Sequence, residues 1–174
     1  MSVGKTTLVN ALKELPEFKD YHFRTERSKH LMNLGIPLNT DSTLKGQLVF
    51  ASERAAELMQ EKIITDRTVI DVMAFCDLSE SMKDHEKFYL NAALYYLVDE
   101  YDILFYVSPE GVEIEDNGIR ETNAEYRDAI DEKIKEYYLN GIEYDYDTWN
   151  EIMKGKEGLP WYKQAAAKGQ THRN

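Results

Sequence analysis

The sequence holds one cysteine in 174 residues, Cys76, which excludes an internal disulfide and a multi-cysteine zinc site and fits a reducing cytoplasm. With no histidine adjacent to it, Cys76 gives no case for a nucleophile and is expected to be a small buried hydrophobe. The histidines, His22, His30, His85 and His172, are scattered without metal-ligand spacing and receive no role. No apolar run is long enough to cross a bilayer, and Val3 is followed at once by Gly-Lys-Thr-Thr, which is unlike a signal peptide. Positive charge is scarce. Against 32 Asp and Glu stand 21 Lys and Arg, a net charge of -11 that disfavours an extended nucleic-acid-binding face. A small anion in one local basic pocket stays compatible with that field. The remainder has the composition of a folded domain: 43% hydrophobic and 11% aromatic, with 12 tyrosines, at a length that suits one core.

Periodicity divides the chain into helices alternating with short apolar runs. Leu8, Ala11, Leu12 and Leu15 recur at helical spacing and stop before Pro16. YHFRT (21–25) reads as a short strand, and residues 26–34 as a helix broken at Gly35 and Pro37. A long helix is expected from about Thr43 to Lys62, with Leu44, Leu48, Ala51, Ala55 and Leu58 on its inner stripe. IITDR follows as a brief apolar run, TVIDVMAFC as a helix start, and residues 84–99 as a further helix. DILFYVSP (102–109) is the clearest strand pattern, a continuous apolar run suited to a parallel strand buried on both faces. Thr122 with Glu125 predicts a capping box for a helix over about 123–139, with Ile130, Ile134, Tyr137 and Tyr138 inward. The tyrosines at 89, 95, 96, 137 and 138 are expected in the core or at its rim. IEYDY and DTWNEIM are candidates for a last strand and helix. The alternation predicts an α/β fold with a parallel sheet covered on both faces, over residues 1–154. Residues 155–174 lack a strong period and read as a C-terminal extension, with Trp161 and Tyr162 as docking points.

In such sheets ligands bind beyond the carboxyl ends of the strands, and charged residues stand there. Gly4-Lys5-Thr6-Thr7 is the back half of the phosphate-loop pattern G-x-x-x-x-G-K-[ST]. Lys5 at a helix start places an ammonium beside outward N–H groups, an anion site suited to the β- and γ-phosphates, and Thr6 offers a hydroxyl to Mg²⁺. The plainer reading is an ordinary helix start capped by threonine. Asp66 and Arg67 could hold a substrate hydroxyl or metal-bound water and an anionic group, or form a surface ion pair. Glu26 could accept a proton from an attacking hydroxyl, or simply favour a helix dipole. Arg120 and Arg127 flank a helix start and could stabilise charge on a transferring phosphoryl group, or be solvated helix charges.

Taken together, SVGKTTLVNAL, DRTVIDVMAF and DNGIRETNAEYR resemble P-loop nucleoside and nucleotide kinases, in the correct order over about residues 2–150. DRTVIDVMAF is similar to a stretch of the thymidylate kinases, with Asp66, Arg67, Ala74 and Phe75 in register. DNGIRETNAEYR is similar to a segment of the AAA-type NTPase-like group that includes nicotinamide riboside kinase domains and many phage proteins. The resemblance implies a three-layer P-loop NTPase fold using ATP and Mg²⁺. In it Gly4, Lys5, Thr6 and Thr7 would bind nucleotide phosphates, and Thr6 and Asp66 would bind the metal. Asp66 and Arg67 would face the acceptor, Glu26 would act as base or substrate contact, and Arg120 and Arg127 as lid arginines. Thr68 and Asp71 depart from the thymidylate kinase pattern and speak against thymidylate as acceptor.

The resemblance also implies a strand ahead of the phosphate loop, in mid-sheet between those ending at Asp66 and Ser108. The sequence shows none, so Met1 is expected to lie inside a longer reading frame. The leading expectation is a cytoplasmic enzyme transferring phosphate from ATP to a small nucleoside- or nucleotide-type acceptor, with a homodimer left open. The alternatives are a P-loop ATPase coupled to a protein partner, a kinase for modified bases in DNA, and a degenerate nucleotide-binding module.

Overall fold

The computed structural model describes residues 4–25, 28–109 and 124–140. Helix α1 (Lys5–Lys13) begins after Gly4, whose φ of 76° is one that a side chain would resist. It buries Leu12, as the spacing predicts, together with Val9, which lay off the predicted stripe, while Ala11 is exposed. Strand β1 (His22–Arg24) follows, and then α2 (Ser28–Asn33), which stops at a left-handed Gly35 with φ 78°. In α3 (Leu44–Leu58) the Thr43 hydroxyl accepts the Gly46 N–H at 3.2 Å, fixing the start. Strand β2 (Ile63–Thr65) leads into α4 (Val69–Asp77), opened by a capping box of Thr68 and Asp71. Next is α5 (Asp84–Val98), where the Glu86 carboxylate accepts the Lys83 N–H at 2.8 Å. Last of the described elements is α6 (Ala124–Asn140).

The core is built around α4. Val69, Met73, Ala74 and Cys76 are almost wholly buried, and α3, α5 and α6 pack against this helix. An apolar segment with polar residues only at its cap and its end has no solvent face to offer, so it becomes the centre of the helical layer. From its neighbours, Ala51 of α3 and Leu90, Leu94 and Val98 of α5 complete the cluster, with Ile134 and Tyr137 of α6 against it. Cys76 is buried as expected, and burial pushes its thiol up to about 12.

Among the described residues the sheet is a parallel pair, with His22 opposite Ile63 and Arg24 opposite Thr65. The His22 N–H donates to Lys62 O at 2.7 Å, and the Asp66 N–H to Arg24 O at 3.1 Å. In a parallel ladder this phase turns Ile64 toward β1 and directs the backbone groups of Ile63 and Thr65 to the opposite edge.

DILFYVSP corrects the expectation: residues 102–109 carry no strand, and Phe105 is 44% exposed. Its apolar run needs a neighbouring strand for its N–H and C=O groups, and no described strand lies between it and β2. A cavity of about 410 Å³ lies there instead, lined by Ile63, Thr65, Ile103, Phe105 and Val107 among others.

Two helix faces also depart from the sequence reading. On α3 the inward side carries Gln47, Ala51 and Arg54, while Leu48 is 47% exposed. Arg54 can turn inward because Glu57 holds its guanidinium at 2.9 Å. On α5, Tyr89, Tyr95 and Tyr96 are exposed, whereas Tyr137 and Tyr138 of α6 are half-buried as expected. The boundary after residue 154, the extension 155–174, IEYDY and DTWNEIM lie outside the described residues.

Candidate functional site

The start of α1 and the end of β2 meet. The Thr6 hydroxyl donates to Asp66 Oδ2 at 2.7 Å, a contact between residues 60 positions apart. It arises because β2 ends where α1 begins, so the charged residues that follow the strand face the helix mouth. Asp66 is 5% exposed, and its other oxygen, Oδ1, is buried with no hydrogen-bond partner among the described residues. A buried carboxylate oxygen without a partner is costly unless a cation or donor meets it, so this atom marks the site.

A second group of charges borders the same mouth. Arg67, directly after Asp66, donates to Asp71 Oδ1 at 2.7 Å, and Lys5 Nζ stands 3.6 Å from that same oxygen. The Thr68 N–H donates to Asp71 Oδ2 at 2.9 Å. Burial alone would raise the Asp71 carboxyl, but Lys5 and Arg67 outweigh it and hold the group well below its usual range. The Arg67 guanidinium also lies 5.7 Å from the Phe75 ring centroid, and Phe75 meets Tyr126 of α6 at 6.5 Å. The start of α6 is thereby tied to the site.

The structure therefore brings Lys5, Thr6, Asp66 and Arg67 together. Gly4 and Thr7 sit on either side of the α1 start, both exposed, and α1 has no side-chain cap there. An uncapped helix start with N–H groups directed outward suits a phosphate. Arg127 lies in the first turn of α6, one residue beyond Tyr126, and pairs with Asp128 at 3.5 Å. Glu26 and Arg120 fall outside the described residues.

Asp71 was missed as a site residue by the sequence reading, which treated it only as a departure from a related motif. Its legible signal was the Thr68–Asp71 spacing of a capping box, together with Arg67 four residues before it. Its contact with Lys5 joins distant segments and left no local trace. Tyr101 was missed too: its hydroxyl accepts the Val69 N–H at 3.0 Å, anchoring the start of α4 beside the cavity.

From the mouth, where Lys5, Asp66, Thr68 and Asp71 contribute to the lining, the cavity continues along apolar walls of Leu8, Val9 and Ile134. No described helix is long and apolar enough to cross a membrane.

A lysine and an uncapped helix start facing a strand-end aspartate are the arrangement that a phosphate-binding site of the P-loop NTPase type requires. The comparison with protein families agrees. The chain belongs to the AAA domain family, whose profile matches residues 1–147. No curated protein and no solved structure matches the chain. Membership carries with it a nucleotide-binding domain of P-loop type, in a family that generally binds ATP with Mg²⁺.

The residues present fit that metal. Mg²⁺ is held through one or two carboxylates, hydroxyls, waters and substrate phosphates rather than by an all-protein cage. Thr6 Oγ1 and the unpartnered Asp66 Oδ1 are hard oxygen donors of that kind. Among the described residues no cluster of three or more His, Cys, Asp or Glu could hold a metal.

Proposed function

We propose that this AAA domain transfers a phosphoryl group from ATP, with Mg²⁺, to a small acceptor of the nucleoside or nucleotide class. The observation that carries the reading is the 2.7 Å contact of Thr6 with Asp66, at a mouth where Lys5 and Arg67 also converge. Lys5 and the N–H groups of α1 bind the phosphate chain as a preset positive field. Thr6 and Asp66 would hold Mg²⁺, which neutralises charge on the phosphates when bound. Arg67 faces the acceptor, with Asp71 and Phe75 fixing its direction. Glu26 takes the role of base or substrate contact, and Arg120 and Arg127 supply charge around the transferring group as the lid. Phosphoryl transfer asks little covalent chemistry of a protein, so position and charge are the whole of this mechanism.

The cavity supports a small acceptor, since its apolar walls and few polar groups match the usual character of ligand pockets. A second reading, nucleotide binding without transfer, draws support from the strandless segment 102–109, which leaves the cavity open along β2. An ATPase coupled to a protein partner and a kinase for modified bases in DNA are the further alternatives.

Incubation with γ-labelled ATP and a panel of nucleosides and nucleotides separates them. Label on a small acceptor supports the proposal, release only as inorganic phosphate supports an ATPase, and transfer only to DNA supports the third. Binding of ATP with no turnover at all supports the degenerate module.

A further inference from the structure

The outer face of α5 is made of aromatics. Phe88, Tyr89, Tyr95 and Tyr96 are 67, 70, 47 and 79% exposed, and the rings of Phe88 and Tyr89 meet edge to face at 5.5 Å. At 100° per residue all four lie within about 60° of the direction of Ala92, itself exposed, and so do His85 and Asp99. The seam reads His85, Phe88, Tyr89, Ala92, Tyr95, Tyr96, Asp99. Its positions are symmetric about Ala92, as the 3.6-residue period makes one face of any helix, and what sets it apart is that four of them are exposed aromatics. Positions 88 and 96 are equidistant from 92, as are 89 and 95, and 85 and 99.

We infer that this face of α5 is a two-fold interface between two copies of this chain, with the helices antiparallel and crossing at Ala92. In that arrangement Tyr89 meets the partner's Tyr96, and Phe88 meets the partner's Tyr95. His85 faces the partner's Asp99 and Glu100, so an imidazole N–H meets carboxylates at each end of the seam. Asp84 falls on the flank away from the partner's Glu100 and on the same side as the partner's Asp99. The small side chain at the centre lets the helices approach to the usual 8–10 Å. An isologous contact of this kind is the commonest form of protein self-association.

Area agrees with a second copy as occupant. Taking roughly 200 Å² for a full aromatic side chain, the exposed fractions sum to about 500 Å² on each protomer. His85, Ala92 and Asp99 add to this, bringing it toward the ~800 Å² per partner of a standard interface. A reversible dimer is the expected result, not an obligate one.

The test is sedimentation equilibrium of the full chain over a wide concentration range, with Ala92→Arg beside it. The expected result is a reversible monomer–dimer equilibrium whose dissociation constant rises at least tenfold in A92R, with unchanged far-UV circular dichroism. Should A92R fail to fold, Tyr96→Glu is read in its place. Register is tested by cysteine: Ala92→Cys forms a disulfide-linked dimer under mild oxidation and Ala93→Cys, on the flank, does not. A chain that stays monomeric at all concentrations, as it would if its own C-terminal residues covered this face, overturns the inference. So does a dimer indifferent to both A92R and Y96E, or one that A92C fails to cross-link.

Discussion

Asp71→Asn removes one charge and almost no volume, and so isolates what the carboxylate does for the site. In the folded chain Asp71 accepts from Arg67 at 2.7 Å, pairs with Lys5 at 3.6 Å and caps α4 through the Thr68 N–H at 2.9 Å. The asparagine oxygen can keep one of these contacts, but Lys5 and Arg67 both lose the carboxylate's charge. With the Asp71 side chain 13% and that of Arg67 9% exposed, solvent offers little compensation. Losing charge-assisted hydrogen bonds costs about 1.5–3 kcal/mol and breaking a fully buried pair about 3–5, so the partial loss here is placed at ~2–3 kcal/mol. For a chain of this size that lowers the thermal midpoint by roughly 5–10 °C at pH 7.

The effect should depend on pH with a fixed sign. The folded-state pKa of Asp71 lies below its ordinary 3.8, so its contribution is full above that value and is lost as pH falls toward the folded-state value. The gap between wild type and D71N, followed by circular dichroism, should therefore be constant from pH 7 to about 5 and narrower near pH 3. A variant as stable as wild type at pH 7, or a gap unchanged at pH 3, refutes the charge web around Lys5 and Arg67.

Three other substitutions follow from the same geometry. Gly4→Ala forces a side chain onto a φ of 76° with no steric neighbour within 4 Å among the described residues, so the cost is conformational, about 1–2 kcal/mol, and should appear in thermal melts. Met73→Ala empties the centre of the core at a site 1% exposed and should cost about 2–5 kcal/mol in urea titration with an unchanged slope. Tyr101→Phe removes the acceptor for the Val69 N–H, and leaving that group unpaired should cost about 1–3 kcal/mol by the same titration.

Helices were the legible part of this fold because their signals are local. Breakers such as Gly35 and Pro16 and the helical spacing that includes Leu12 act within one or two turns. DILFYVSP misled for the opposite reason: apolar content records a demand for burial, whereas a strand also needs a neighbour to bond, which no local pattern encodes. The inner face of α3 was misjudged because Arg54 is held inside by Glu57 and Glu53, so polarity and burial parted company there. The tyrosines of α5 were expected in the core or at its rim because they recur at helical spacing, but that spacing puts them opposite Leu90, Leu94 and Val98. In the site, Lys5, Thr6, Asp66 and Arg67 could be read because helix starts and strand ends are where an α/β chain presents charge. The contact between Lys5 and Asp71 joins residues that only the fold makes neighbours.

Calorimetric titration of ATP with Mg²⁺ into the chain and into Lys5→Ala tests the central claim most directly. The site described here predicts saturable binding that weakens at least tenfold in K5A and is reduced when EDTA removes the metal. Equal binding by both proteins, with or without Mg²⁺, would show that the mouth of α1 does not hold the nucleotide.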